Sequence, residues 1–252
     1  LQDAAVIPKI KNTVTGKIFA TLAEMQNEDP EADKGFFTAF GRVLKEGLHT
    51  GWVNADKLKP LLMCRSATRD GKPLVTLGEY VAAMPEGQKE IYYLIAEDLG
   101  TARHSPHIEA VVKRGYDVLL FIDPIDQWVT DSLREFDGKR LVAVDKGQLE
   151  LGTDEEKAEA KKRLEEAAGE FQKLAAVIQE RLKEDVSAVR LSPRLTDSAC
   201  CLVADEHAMS ASMERLMRAM NQEVPKQLRI PELNPAHALV RKMQAMAEDG
   251  AA

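Results

Sequence analysis

Between Gln88 and Lys146 short apolar runs alternate with amphipathic stretches, and that alternation restricts the chain to a small set of folds. Ile91 to Ala96 is apolar with two tyrosines, a strand by composition. Ser105 to Arg114 reads as a helix, with Ile108, Val111 and Val112 on one face and Gly115 as its C-terminal stop. Val118 to Ile122 is continuously apolar, as a strand buried on both faces must be. Ile125 to Phe136 is helical again, and Leu141 to Val144 supplies a third strand. The order βαβαβ implies right-handed crossovers, so the expected class is α/β: a parallel sheet with covering helices.

The flanks differ in character. Residues 1–48 read as helical, with Val6, Ile10, Val14, Ile18 and Leu22 at four-residue steps and a polar break from Asn27 to Lys34. Leu58, Leu61 and Leu62 suggest a short helix, and Arg69 to Pro73 a turn. Thr76 and Glu79 form a capping box for a helix ending near Met84. Composition changes near Gly152. Residues 154–184 carry nine acids and seven bases around Leu164, Phe171, Leu174, Ile178 and Leu182, one face of a single long helix. Val186 to Leu191, Cys200 to Val203 and Leu228 to Ile230 read as strands, and Ser210 to Met220 as an amphipathic helix. Pro235 is placed to open a last helix as its first residue, behind Asn234. The expected division is therefore 1–48, 49–152 and an α+β part from 153 to 252.

Several functions are excluded or weakened. Thirty-four basic against 41 acidic residues, a net charge of −7, argue against a nucleic-acid binder. No stretch approaches the roughly 18 uninterrupted apolar residues of a membrane span, and the first residues lack the pattern of a signal peptide. Three cysteines make no disulfide framework, so a reducing, cytoplasmic location is expected. The loop Glu97 to Thr101 holds one glycine and cannot cradle a dinucleotide. Glu97, Asp123 and Asp126 follow strands and could hold Mg²⁺ for phosphoryl transfer, although Asp123 to Asp126 reads more simply as a helix cap. His104 and His107 are a weak ligand pair. Cys200 and Cys201 on a strand point to opposite sides, and His207 could activate one of them, but a buried structural thiol is the simpler reading. Of nine methionines, Met209, Met213, Met217 and Met220 fall within twelve residues, and Met213, Leu216, Met217 and Met220 share a helical face. Such a face is either core or an adaptable apolar surface.

Four stretches carry a resemblance: MPEGQKEIYYLIAE, SPHIEAVVKRGYDVLLFIDPIDQW, LREFDGKRLVAVDKG and RLTDSACCLVADEHAMSASMERLM with ELNPAH further on. Over essentially the whole chain the sequence resembles the ninety-kilodalton heat-shock protein chaperones of the bacterial HtpG type. The resemblance implies a middle-domain and C-terminal fragment, a view that fits a chain starting at Leu1. It implies an ATP-dependent chaperone for unfolded proteins whose ATP and Mg site belongs to an N-terminal domain, so no cofactor is expected on this stretch. Gln2 matches the glutamine beside the family's γ-phosphate arginine, which would precede Leu1. The match stops near Glu248, ahead of two helices that complete the family's homodimer, so dimerisation is expected to be weakened. Trp128, Met209, Met213, Leu216, Met217 and Met220 fall in regions that the family uses for client contact.

Overall fold

In a computed structural model the protein is described over residues 6–50, 54–69, 74–206 and 208–249. Gln2, the turn beyond Arg69 and His207 lie outside the described residues. Two long helices come first, α1 (Val6–Glu28) and α2 (Pro30–Thr50). The polar break between them is a single residue. Asp29 Oδ1 accepts a hydrogen bond from Ala32 N at 3.0 Å, and Pro30 opens α2 where its missing N–H costs nothing.

A six-stranded sheet follows, built from β1 (Met63–Ser66), β2 (Val75–Thr76), β3 (Ile91–Ile95), β4 (Leu119–Phe121), β5 (Glu135–Phe136) and β6 (Lys139–Ala143). Its order is β2-β1-β4-β3-β6-β5. β3 runs parallel to both β4 and β6, while β1, β2 and β5 are antiparallel to their neighbours. The class is α/β, but the sheet is mixed rather than wholly parallel. Short helices join the strands: α3 (Ala55–Leu58), α4 (Leu77–Ala82), α5 (Leu99–Arg103), α6 (Glu109–Lys113) and α7 (Asp126–Ser132). Thr76 and Glu79 close the capping box of α4 at both of its bonds. Alternation along the central strands feeds a core on each face. Ile91, Leu119 and Phe121 pack with Phe37, Leu62, Leu77 and Val129, whereas Tyr92, Leu94 and Leu120 pack with Val111, Val118 and Leu149.

The remainder carries a three-stranded sheet, β7 (Arg190–Leu191), β8 (Cys200–Val203) and β9 (Ile230–Leu233), in the order β7-β9-β8. Its helices are α8 (Asp154–Glu170), α9 (Gln172–Arg181), α10 (Ala211–Ala219) and α11 (Ala238–Glu248).

Several expectations from the sequence are corrected. The single helix over 154–184 is two helices, broken at Phe171 (φ −95°, ψ 1°), whose ring is buried with Leu174, Leu191 and Leu233. α7 stops at Ser132, and Phe136 lies in β5 instead, where Asp137 (φ 50°) and Gly138 (φ 69°) turn the chain back into β6. Ser105 to Arg114 is a 3₁₀ turn over Pro106–Ile108 followed by α6, stopped by Gly115 at φ 81°. Val186 makes only an isolated bridge to Arg229 outside β7. Pro235 does not open the last helix. His237 caps α11, accepting from Leu239 N at 3.1 Å, while buried Asn234 donates through Nδ2 to the Ser198 carbonyl at 3.0 Å and accepts at Oδ1 from Ala236 N at 3.0 Å.

The two sheets are joined by backbone bonds, Ala204 N to the Asp145 carbonyl at 3.1 Å and Gly147 N to the Ala204 carbonyl at 3.0 Å, and by a buried ionic network. Arg194 and Glu232 are both 0% exposed. Arg194 Nε donates to Glu232 Oε2 at 2.8 Å and Nη2 to Oε1 at 3.2 Å. The same guanidinium donates to the Val144 carbonyl and, at 2.6 Å, to the Gly147 carbonyl, just beyond β6. Arg190 Nε and Ser192 Oγ also donate to Glu232, at 2.9 and 2.8 Å. From the other side, Glu109 at the start of α6 accepts from Thr196 N at 2.7 Å, Asp197 N at 2.9 Å and Ser198.

Removing one partner of a buried ion pair costs about 3–5 kcal/mol, because the other charge remains buried. Arg194→Met should lower unfolding free energy in urea by about that amount, and Arg194→Met with Arg190→Met and Glu232→Leu, which removes every charge of the cluster, should recover most of the loss. A triple variant as unstable as the single one would refute this account.

Glu109 supplies a pH test. Burial pushes its carboxyl upward, but the hydrogen bonds from Ser198, Asp197 and Thr196 outweigh that and hold it below its ordinary value of 4.5. A depressed carboxylate stabilises fully above its ordinary value and loses that stabilisation as pH falls through the depressed one. Glu109→Gln should therefore melt below the unaltered protein at neutral pH, and the gap should close on acidification. A gap constant with pH would show that the charge is not involved.

Candidate functional site

The methionine-rich helix α10 starts at Ser210, which is 2% exposed and accepts from Met213 N at 3.1 Å. It ends through Asn221 at φ 56°, a left-handed C-terminal cap, with Gln222 N donating to Met217 O at 3.0 Å. None of its nine residues is buried. Met209, Met213, Leu216 and Met217 are half-buried, and Met220 is 55% exposed.

Polar contacts locate the helix. Toward the six-stranded sheet, Ser210 Oγ donates to Gln127 Oε1 at 2.7 Å, Ser212 Oγ to the Ile95 carbonyl at 3.4 Å, and Arg215 pairs with Glu97 at 2.9 Å. Toward the three-stranded sheet, Arg229 pairs with Glu214 and donates to the Met209 carbonyl at 3.0 Å. With position set by these bonds, the apolar side chains of α10 are left partly open. Reading the sequence for apolar periodicity finds the methionines and misses Gln127, Arg215 and Arg229. Of these anchors only Ser210, as an N-cap before a periodic run, has a local signal.

Trp128 is on α7, directly after the glutamine that receives Ser210, so the structure brings the helix of Trp128 and α10 together. The Trp128 side chain is half-buried, and its ring centroid lies 6.2 Å from that of His49 on α2. Lys45, also on α2, is 6% exposed and pairs with Asp126 at 2.7 Å and with Asp123. Burial acts to lower the Lys45 ammonium, but the two carboxylates more than offset it and hold it above its ordinary value. A divalent cation at Asp123 and Asp126 would have to displace that ammonium, and Glu97 faces Arg215. The three carboxylates that could have held Mg²⁺ are thus engaged separately. Nor does Asp123 cap α7 with its side chain. Asp126 Oδ2 instead accepts from Asp123 N at 2.9 Å.

The other candidates also separate. His104 is exposed with Nδ1 at 2.8 Å from the Gly100 carbonyl, whereas His107 Nδ1 is buried without a hydrogen-bond partner. Cys200 is exposed and Cys201 buried, as alternation on β8 requires. Burial and the neighbouring Glu232 push the Cys201 thiol up to about 12, the wrong direction for a nucleophile. Among the described residues no helix is long and apolar enough to cross a membrane.

The family model for the Hsp90 protein matches residues 1–252. The chain belongs to the Hsp90 family. It is 46% identical over 246 residues to the chaperone protein HtpG of Geobacter sulfurreducens, covering 98% of this chain and 38% of that one. It is 44% identical over 243 residues to HtpG of Geobacter metallireducens (96% and 37%) and 39% identical over 255 residues to HtpG of Chromobacterium violaceum (100% and 40%). This Hsp90-family chain thus spans about two-fifths of the length of those relatives.

In the Hsp90-family chain Ser210 both caps α10 and docks it. Ser210→Ala should cost about 0.5–2 kcal/mol, with the loss concentrated in α10. Amide exchange should speed up at Met213 through Met217 while β3 and β4 stay protected. Uniform acceleration across the molecule would refute a local anchoring role.

Proposed function

We propose that this chain is the client-holding portion of an ATP-dependent molecular chaperone, with α10 and Trp128 contacting non-native proteins. One observation carries the reading: the apolar residues of α10 are nowhere fully buried, although the helix is fixed by polar bonds at both sheets. Methionine is flexible and polarisable, so such a face accepts apolar segments of many shapes. Met213, Leu216 and Met217 on α10, with Met209 and Met220 at its two ends, form the proposed surface, and Trp128 extends it on α7. The HtpG relatives are named chaperone proteins, which supports the same class. Residues 1–48, 49–152 and 153–252 are proposed as two parts of a middle domain and a C-terminal domain. ATP and Mg belong, on this reading, to the longer protein, as does its homodimer. Gln2 is proposed as part of the loop that senses the nucleotide. A metal-dependent phosphoryl transferase is disfavoured by the pairing of Asp126 and Asp123 with Lys45.

If the methionines were core, burying each would contribute roughly 1.5–3 kcal/mol, and two polar replacements would consume much of a typical margin of about 5–15 kcal/mol. With a half-open face, Met213→Ser with Met217→Ser should leave the melting temperature nearly unchanged and weaken binding of an unfolded model protein several-fold. A collapse in stability with unchanged affinity per folded molecule would remove the client-binding role.

A further inference from the structure

Lys45 places a charge where α2 is otherwise apolar. Beyond the first turn the buried residues of α2 are Phe37, Gly41, Lys45 and Leu48, which share one helical face. Phe37 and Leu48 belong to one core with Val129 of α7. Within that face the Lys45 ammonium meets Asp126, which is 0% exposed. A buried ion pair adds little net stability over an apolar pair of similar volume, so its consequence lies in the geometry it demands.

Asp126 opens α7, a helix whose N-cap, Ile125, has no side chain able to bond its first turn. The Asp126 carboxylate holds that turn from both sides. Oδ2 accepts from Asp123 N at 2.9 Å, and Oδ1 faces Lys45 Nζ at 2.7 Å. One residue on, Gln127 is 7% exposed and turns to α10, its Oε1 accepting from Ser210 Oγ at 2.7 Å. Ser210 Oγ in turn accepts from Met213 N. Trp128 comes back to α2, where His49 stands one turn beyond Lys45. Three successive residues of α7 thus meet α2, the cap of α10 and α2 again. Among the described residues Lys45 pairs with Asp123 and Asp126 and with no residue of α10.

We infer that Lys45 is a positioning residue for α10: by holding Asp126 it fixes the first turn of α7, so that Gln127 stands where Ser210 docks. The effect on α10 is independent of the chaperone reading, and any effect on clients rests on it. The test is Lys45→Met with Asp126→Asn, which leaves neither charge of the pair buried and keeps an acceptor for Asp123 N. Amides from Met213 to Met217 should exchange about two- to tenfold faster, the worth of one hydrogen bond, while β9 and α11 stay as protected as before. In a Gln127→Met background, where the Ser210 bond is already lost, the same two substitutions should add nothing on α10. Unchanged exchange in α10 overturns the proposal. So does equal acceleration in β9 and α11, or further acceleration of α10 in the Gln127→Met background. Faster exchange confined to α10 with unchanged affinity for an unfolded model protein would uphold the positioning role and remove α10 from client binding.

Discussion

A guanidinium and a carboxylate shut away from water, Arg194 and Glu232, set the relation between the two sheets. Their desolvation is costly, and it is offset because Arg194 reaches Glu232, Val144 and Gly147 while Glu232 takes Arg190 and Ser192 as well. Apolar packing tolerates small slips. A network in which each bond has a direction does not, since a shift leaves a buried charge without its partner. The placement of β9 against the end of β6 is therefore specified by geometry, and Glu109 repeats the arrangement from α6.

The docking of α10 follows from that placement. Its anchors come from both sheets: Gln127, Ile95 and Glu97 from one side, Arg229 from the other. Only when the sheets are fixed do these groups stand at the right spacing. Polar bonds then carry position, and the methionines are released from the ordinary task of a helix's apolar face. The arrangement separates what holds the helix from what the helix offers.

Much of the central sheet was legible in the sequence. The apolar runs at Ile91 and Val118 became β3 and β4, and the Thr76–Glu79 box formed. The edge strands β2 and β5 were not legible, because two residues each make no periodic signal. β1 was hidden behind the leucines of the preceding helix. The break at Phe171 was missed because Phe171 continues the apolar stripe, and its burial with Leu191 and Leu233 joins residues distant in sequence. Of the site, the apolar members could be read from spacing. Arg194 and Glu232 could not, since charged residues 38 positions apart look like two ordinary surface groups.

The same distribution of bonds orders the molecule's motions. Opening the junction requires parting Arg194 from Glu232 and from two carbonyls together, so its amides should exchange only when the whole molecule unfolds. α10, with no buried residue, can detach at smaller free energy while both sheets persist. The chain thus combines a slow-breathing frame with a fast-breathing helix beside Trp128. Surfaces that must adapt are borne on segments whose fluctuations leave the frame undisturbed.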